Sequence, residues 1–187
     1  MYTNYQNLYK QLMNVYPLDE AKALVRMVLE ERYGLTLAEI YTDKVTQLSA
    51  DDANDLEKIM SRLAKGEPVQ YVLGSTTFCG RQFCVAPGVL IPRPETEMLC
   101  EWVVNVHNNS FCALQPPTPL RILDVGTGSG CIAITLSLDM SNTVVSAYDI
   151  SSEALLIARD NAIRLGATVN FQMKDALQIV TTSEMFD

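Results

Sequence analysis

The residues best suited to bind a ligand follow a short apolar segment near the middle of the chain. Residues 122–130 read Ile-Leu-Asp-Val-Gly-Thr-Gly-Ser-Gly, so three glycines come directly after a segment typical of a buried parallel strand. Glycine has no Cβ and adopts positive φ angles readily, which lets the backbone approach a ligand closely. Residues 131–138 then have helical character, and the free N–H groups at a helix N-terminus favour an anion. The pattern predicts a site for a nucleoside-type cofactor.

The spacing of the glycines narrows the choice of cofactor. A dinucleotide-binding turn has the pattern Gly-x-Gly-x-x-Gly, whereas here the third glycine, Gly130, comes one residue early and Cys131 takes its place. Residues 143–148 form a second apolar segment that ends at Asp149, whose carboxylate can accept hydrogen bonds from both hydroxyls of a ribose. Together with Asp124 before the first glycine, this arrangement resembles the S-adenosylmethionine site of Rossmann-like methyltransferases.

Composition limits the remaining function classes. The chain has 187 residues, of which 48% are hydrophobic, so it can bury a sizeable core. Its net charge of -8 argues against nucleic acid as the main partner. The one histidine, His107, is expected at the surface or as a helix cap, and the five cysteines contain no Cys-x-x-Cys pair. We therefore expect no metal site and reduced thiols.

The sequence also predicts where the protein resides. No segment approaches the roughly 18 apolar residues that a membrane span requires. The first residues lack the basic and apolar regions of a signal peptide. We therefore expect no membrane association and a cytoplasmic location.

Apolar periodicity and helix-breaking residues indicate the elements that would position the site. In the first part of the chain, helices are expected over residues 5–15, 19–33, 36–41 and 51–64. Residues 68–77 and 81–86 are rich in strand-forming residues on either side of Cys79-Gly80, which indicates a hairpin. Beyond it, the sequence predicts helices over 95–106 and 151–165, a loop over 108–119 and a third strand over 168–173.

These elements predict three regions. Residues 1–66 form a helical domain, residues 67–91 a β-hairpin linker, and residues 92–187 the first part of an α/β domain. Strands that alternate with helices indicate a parallel sheet with the glycine turn at its carboxyl edge.

Longer stretches of the sequence are similar to one family. Residues 66–74 (Gly-Glu-Pro-Val-Gln-Tyr-Val-Leu-Gly), residues 83–87 and residues 90–97 (Leu-Ile-Pro-Arg-Pro-Glu-Thr-Glu), followed by the glycine turn, resemble the HemK/PrmC family of protein glutamine N5-methyltransferases. The resemblance covers essentially the whole chain. It implies a class I, Rossmann-like methyltransferase core, here incomplete, that uses S-adenosylmethionine. It also implies that the methyl acceptor is the glutamine of the Gly-Gly-Gln motif in peptide chain release factors, with the helical domain docking that substrate.

The resemblance assigns roles to two groups of residues. It implies that the cofactor is bound by Asp124, Gly126, Thr127, Gly128, Ser129, Gly130, Asp149, Asp175 and Ala176. In this assignment the glycine turn lies at the methionine end, Asp149 at the ribose and Asp175 at the adenine. Asp124 would contact the methionine ammonium or act as a turn former. The substrate pocket would be bordered by Arg93, Pro94, Glu95 and Thr96, although Glu95 and Arg93 could equally be a helix-terminal charge and its surface partner.

The chain departs from the family pattern at the catalytic signature. Asn-Pro-Pro-Tyr, which follows the fourth strand in the family, does not occur in residues 1–187. In the family, its asparagine side-chain oxygen and a proline carbonyl accept the N–H groups of the acceptor amide. We therefore expect the chain to be a fragment with no catalytic residue of its own and no transferase activity.

Two other functions remain open at this point. A nucleic-acid adenine N6-methyltransferase shares the fold and a similar signature, although the acidic composition disfavours it. A non-catalytic adaptor would have no affinity for the cofactor, so cofactor binding separates it from both enzymes.

Overall fold

The structure, a computed structural model, describes residues 4–111, 118–178 and 185–187. The chain divides into two units, Met1–Leu73 and Gly74–Asp187. The loop predicted over 108–119 lies partly outside the described residues, as does Cys112.

The first unit consists of helices packed around one apolar core. Its helices are α1 (Tyr5–Leu12), α2 (Leu18–Tyr33), α3 (Leu37–Tyr41), α4 (Ala50–Leu63) and α5 (Val69–Leu73), with a 3₁₀ helix at Lys44–Gln47. Their apolar stripes supply fully buried side chains such as Leu12, Val28 and Leu63. The first four helices follow the periodicity of the sequence and confirm the prediction, except that α1 ends at Leu12 instead of residue 15.

Helix α5 contradicts the strand expected over residues 68–77. The sequence Val-Gln-Tyr-Val-Leu favours a strand, yet it forms one helical turn, and β structure begins only at Ser75. Both valines are buried in the core of the first unit. The Arg62 guanidinium donates hydrogen bonds to the carbonyl oxygens of Tyr71 (3.1 Å) and Val72 (3.2 Å). Burial and this capping of the terminal carbonyls outweigh the local strand propensity.

The predicted hairpin is confirmed and lies within the second unit. Strands β1 (Ser75–Phe78) and β2 (Arg81–Cys84) pair antiparallel. The two turn residues, Cys79 and Gly80, both have positive φ angles (46° and 71°), which suit the right-handed twist of a two-residue hairpin. The Cys79 N–H donates to the Glu97 carboxylate (2.8 Å), and the Arg81 guanidinium pairs with both oxygens of Asp139. The hairpin is therefore fastened to the α/β part of this unit.

A parallel sheet forms the centre of the second unit and confirms the predicted α/β class. Strands β3 (Leu120–Val125), β4 (Thr143–Asp149) and β5 (Asn170–Met173) lie in the order β3-β4-β5. Helix α7 (Cys131–Asp139) connects the first two strands and α8 (Ser152–Leu165) the next two. The register pairs Val125 with Tyr148 and Asp149 with Met173, so all three carboxyl ends meet at one edge.

Strand β3 is less buried than its sequence predicts. Val125 is 53% exposed, and the apolar residues before it are only half-buried. The reason is that β3 is an edge strand of the three-stranded sheet. On its outer side, the Asp187 N–H donates to the Arg121 carbonyl oxygen (3.0 Å) and the Asp187 carboxylate accepts the Arg121 N–H (2.9 Å).

Helix α6 (Pro94–Phe111) is longer than predicted and buries the histidine. The helix was expected to end at residue 106, with His107 at the surface. His107 instead lies within the helix, is 5% exposed, and places Nε2 3.1 Å from the Ser141 carbonyl oxygen. Neither α6 nor any other helix in the described ranges is long and apolar enough to cross a membrane.

Candidate functional site

The glycine turn lies at the carboxyl edge of the sheet, where strand β3 ends. Gly126, Gly128 and Gly130 have φ angles of 75°, 56° and 81°, a conformation that costs other residues about 1–2 kcal/mol. The N–H groups of Gly126 and Thr127 donate to the Tyr148 carbonyl oxygen (2.8 and 3.0 Å), which fastens the turn to β4. The backbone of the turn is therefore fixed at the place where the sequence predicts a ligand.

The three glycines serve two different purposes. A Cβ atom at Gly126 or Gly128 would meet nothing within 4 Å, so these positions face open space. A Cβ at Gly130 would lie 2.9 Å from Ile134 Cδ1 and 3.1 Å from Ala158 Cβ. Gly130 thus allows helices α7 and α8 to pack closely, whereas Gly126 and Gly128 leave room for a ligand beside the backbone.

Asp149, at the end of β4, is held by two backbone N–H groups. Its Oδ2 accepts the Gly128 N–H (2.9 Å) and its Oδ1 accepts the Ser151 N–H (2.9 Å). An ionised carboxylate has about four acceptor positions, so each oxygen can accept one further hydrogen bond. The half-buried carboxylate is therefore oriented and still able to receive two hydroxyl groups.

Asp124 lies under the turn, and its carboxylate accepts the Thr127 hydroxyl (2.7 Å). Burial raises the pKa of Asp124 above its ordinary value of 3.8, and the nearby Asp149 charge acts in the same direction. Hydrogen bonds from the Thr127 hydroxyl and the Ala133 N–H oppose this increase in pKa. Asp124 therefore makes a hydrogen bond within the turn, and its carboxylate lies beside the turn.

Asp175 and Ala176 lie at the same edge of the sheet, after β5. The Lys174 N–H donates to the Asp149 carbonyl oxygen (3.0 Å), which places the end of β5 beside the end of β4. Asp175 Oδ1 accepts the Leu177 N–H (2.9 Å), and the 3₁₀ helix Ala176–Gln178 follows. The predicted cofactor residues on three successive strand ends are therefore brought together.

These features fit a nucleoside-type cofactor. Two glycines leave open space beside a fixed backbone, and a carboxylate with unused acceptor positions stands 2.9 Å from the turn. Thr127 and Ser129 are 6% and 2% exposed, so the turn offers a ligand mainly its backbone. Within the described ranges, no group of three or more His, Cys, Asp or Glu side chains could hold a metal ion.

The residues predicted to border a substrate pocket lie at the start of α6. Pro94 is its first residue, and the Arg93 carbonyl oxygen accepts the Thr96 N–H (2.9 Å). Arg93 and Glu95 are exposed, and no ion pair joins them in the part of the chain that the structure describes. No hydrogen bond of the described residues connects this segment with the glycine turn. Its role in a pocket therefore stays a prediction.

One cavity of the second unit lies away from these residues. A volume of about 380 Å³ is lined by residues at the opposite edge of the sheet, including Pro119, Thr143 and Thr168. It has no charged lining residue and contains none of the predicted site residues. The glycine turn is marked as the candidate site by its chemistry, namely a fixed backbone with room beside it and the oriented Asp149 carboxylate.

Sequence reasoning missed two side chains that support the site. Glu97, in the first turn of α6, accepts the Cys79 N–H at the tip of the hairpin. Asn161, in the middle of α8, hydrogen bonds with the backbone of Cys84 and Ser129. Both contacts join residues far apart in sequence, and no local pattern indicates them.

Comparison with known proteins identifies both parts of the chain. Residues 5–74 match the PrmC N-terminal domain, and residues 122–187 match a methyltransferase domain. The release factor glutamine methyltransferase of Bacteroides thetaiotaomicron is 45% identical over 166 residues, 89% of this chain and 56% of the relative. Proteins of the same name from Koribacter versatilis (43% identity, 80% of this chain, 51% of the relative) and Flavobacterium psychrophilum (35%, 98%, 64%) are also similar.

The chain spans between about half and two thirds of the length of these relatives. The matching regions include the helical first unit, the glycine turn and Asp149. Methyltransferases of this kind use S-adenosylmethionine, the cofactor implied by the resemblance of the glycine turn, Asp124 and Asp149 to such sites. We conclude that the chain belongs to the PrmC family of methyltransferases.

Proposed function

We propose that this chain supplies the S-adenosylmethionine site of an enzyme that methylates the side-chain amide nitrogen of a glutamine. The acceptor would be the glutamine of the Gly-Gly-Gln motif in peptide chain release factors. The observation that carries the proposal is the oriented Asp149 carboxylate beside the open glycine turn, in a chain of the PrmC family. The names of the relatives support release factors as the substrate class.

Each cofactor residue has a proposed role that its surroundings support. The ribose hydroxyls would donate to the two unused acceptor positions of Asp149. The backbone of Gly126 and Gly128 would lie against the methionine end, and the Asp124 charge would attract the methionine ammonium. Asp175 and Ala176 would contact the adenine. When bound, the cofactor supplies a methyl group activated by a positive sulfonium.

The acceptor amide needs orientation more than activation by a base. Its nitrogen lone pair is delocalised into the carbonyl, so the protein must hold the N–H groups while the nitrogen faces the methyl carbon. Arg93, Pro94, Glu95 and Thr96 would border the acceptor pocket. Residues 1–187 contain no Asn-Pro-Pro-Tyr sequence to accept the amide N–H groups. We therefore expect the 187-residue chain alone to bind the cofactor without transferring its methyl group.

The helical first unit is proposed to dock the release factor. It has its own core, and its residues match the PrmC N-terminal domain, whereas the predicted cofactor residues all belong to the second unit. A release factor should therefore bind the 187-residue chain with the same affinity in the presence and absence of S-adenosylhomocysteine, as measured by biolayer interferometry. Loss of release-factor binding on adding this cofactor product would place the docking surface at the cofactor site instead.

Calorimetry with S-adenosylmethionine tests the cofactor site. Asp149→Ala should weaken binding about tenfold or more, because each hydrogen bond to a charged group contributes about 1.5–3 kcal/mol. Since Asp149 also accepts the Ser151 N–H, Ser151→Ala is the matched control: it removes the N-cap bond to Ala154 and keeps the carboxylate. The control should bind nearly as the wild type does. Equal weakening by both variants would assign Asp149 a structural role, and no binding by the wild type would contradict the cofactor proposal.

Transfer of labelled methyl groups tests the reaction. The chain is incubated with a release factor presenting Gly-Gly-Gln, and the Bacteroides relative serves as the positive control. We expect label only with the longer relative. Turnover by the 187-residue chain would place the catalytic group within it, and transfer to an adenine-containing oligonucleotide would favour the nucleic-acid methyltransferase.

A further inference from the structure

Asn161 makes three hydrogen bonds from a position that is 1% exposed. Its Oδ1 accepts the Cys84 N–H (2.7 Å), and its Nδ2 donates to the Cys84 carbonyl oxygen (3.0 Å). The same Nδ2 also donates to the Ser129 carbonyl oxygen (2.9 Å). One amide group thus binds strand β2 of the hairpin and the glycine turn together.

An asparagine is the side chain that matches these partners. An amide supplies two donors and an acceptor, and the three bonds use both donors and the acceptor. An aspartate of the same shape would place a carboxylate against two carbonyl oxygens. An apolar residue would leave one buried and two partly buried backbone groups without this partner, each at a desolvation cost.

The segment that carries Asn161, helix α8 and its N-cap Ser151, supports the glycine turn at two further points, once directly and once through Asp149. Ala158 is the residue that a Cβ at Gly130 would strike at 3.1 Å, so the helix packs directly against the turn. At the start of the helix, the Ser151 N–H holds Asp149, which in turn accepts the Gly128 N–H. The Asn161 amide is therefore one of three supports that the turn receives from this segment.

We propose that Asn161 is a positioning residue that sets the geometry of the glycine turn and couples it to the hairpin. The inference about the cofactor rests on the function proposed above. The Asn161 side-chain amide binds both Cys84, in strand β2, and Ser129, in the turn. A shift of strand β2 therefore moves the amide that holds the turn. Ligand binding at the turn should restrict strand β2 in the same way, although β2 contains none of the predicted cofactor residues.

Hydrogen exchange of the wild-type chain tests this coupling without any substitution. The amides of residues 126–130 and of Cys84 are followed by NMR before and after addition of S-adenosylhomocysteine. Both sets should exchange several-fold more slowly with the ligand bound, whereas the amides at the amino ends of β3 and β4 should change little. Protection of the turn without protection of Cys84 would overturn the coupling.

Variants separate a positioning role from a general effect on stability. Asn161→Ala should speed exchange at Cys84 and at residues 126–130 in the ligand-free chain, and should weaken S-adenosylhomocysteine about tenfold or more. Met140→Ala is the matched control, since Met140 is buried at the far end of α7. Met140→Ala should lower the unfolding midpoint. It should leave amide exchange at Cys84 and residues 126–130, and the affinity for S-adenosylhomocysteine, unchanged. Ile163→Ala, at a 79% exposed position of α8 two residues after Asn161, should change nothing.

The outcomes distinguish the two proposals. If Asn161→Ala and Met140→Ala lower the unfolding midpoint alike and neither alters exchange at the turn, Asn161 is only a structural residue and the inference fails. If the wild type binds no cofactor, the proposed function fails, and the exchange of the ligand-free Asn161→Ala chain still decides whether the amide couples hairpin and turn.

Discussion

Alanine substitutions at Gly126 and Gly130 should affect different properties of the chain, although both glycines have similar φ angles of 75° and 81°. At Gly126 a new methyl group meets nothing within 4 Å. At Gly130 it meets Ile134 and Ala158 at 2.9 and 3.1 Å. The first substitution should mainly impair ligand binding, and the second should mainly destabilise the fold.

The magnitudes follow from these contacts. A non-glycine residue in the left-handed region costs about 1–2 kcal/mol, which both variants incur. Gly130→Ala adds overpacking of about 1–3 kcal/mol. Neither neighbour can easily make room for the new methyl group. Ile134 meets it with the end of its side chain but is fully buried, and Ala158 meets it with its Cβ and Cα atoms. We expect unfolding free energies lower by roughly 1 kcal/mol for Gly126→Ala and roughly 3 kcal/mol for Gly130→Ala.

Urea unfolding followed by the fluorescence of Trp102 measures this difference. Trp102 is the single tryptophan and belongs to the second unit, so its signal reports on the part that contains the turn. Calorimetry with S-adenosylmethionine measures the affinity for the cofactor. Gly126→Ala should lose more affinity than its small loss of stability explains. Equal destabilisation by the two variants, or greater destabilisation by Gly126→Ala, would refute the division of roles between the glycines.

Three further predictions concern other parts of the chain. Because burial raises the pKa of Asp124 above 3.8, ionisation of Asp124 destabilises the folded state. Asp124→Asn should therefore be more stable than the wild type in urea titrations at high pH. This difference in unfolding free energy should be absent well below pH 3.8, grow as the pH rises through the raised pKa, and then stay constant. Burial raises the pKa of Cys100 to about 12 and that of Cys131 to about 11, so at pH 8 iodoacetamide should modify both at least about a hundredfold more slowly than in the unfolded chain, as mass spectrometry can show. Ser49→Ala removes the side-chain bond to the Asp52 N–H at the start of α4 and should lower the stability of the first unit by about 1 kcal/mol, measured by thermal unfolding.

The features predicted well from the sequence are those that depend on neighbouring residues. The glycine turn requires positive φ angles at fixed spacing after an apolar strand, and the Cys79-Gly80 hairpin requires them at two adjacent residues. Both requirements are visible in a short stretch of sequence. Helix α4 follows likewise from its apolar period. Local chemistry was sufficient in each case.

The features missed depend on residues distant in sequence. Cys84 and its partner Asn161 are separated by 77 positions, and neither has a neighbour that indicates the contact. Helix α5 forms because Arg62 caps it and the core buries its valines, which local strand propensity does not reveal. The end of α6 was placed too early because its polar last turns lack the apolar period, although His107 is buried. Tertiary contacts decide these cases.

The two N–H groups that hold Asp149 limit how its ligand preference could be redesigned. A side chain already fixed by Gly128 and Ser151 has lost its rotamer freedom during folding, so a ligand does not incur that entropy loss, about 0.5–1.5 kcal/mol, when it binds. The same restraint makes the carboxylate difficult to replace. A substitution meant to favour a nucleoside with a modified ribose would also leave two backbone donors without their acceptor. A successful redesign would have to restore both bonds from another side chain before any new ligand contact could improve binding.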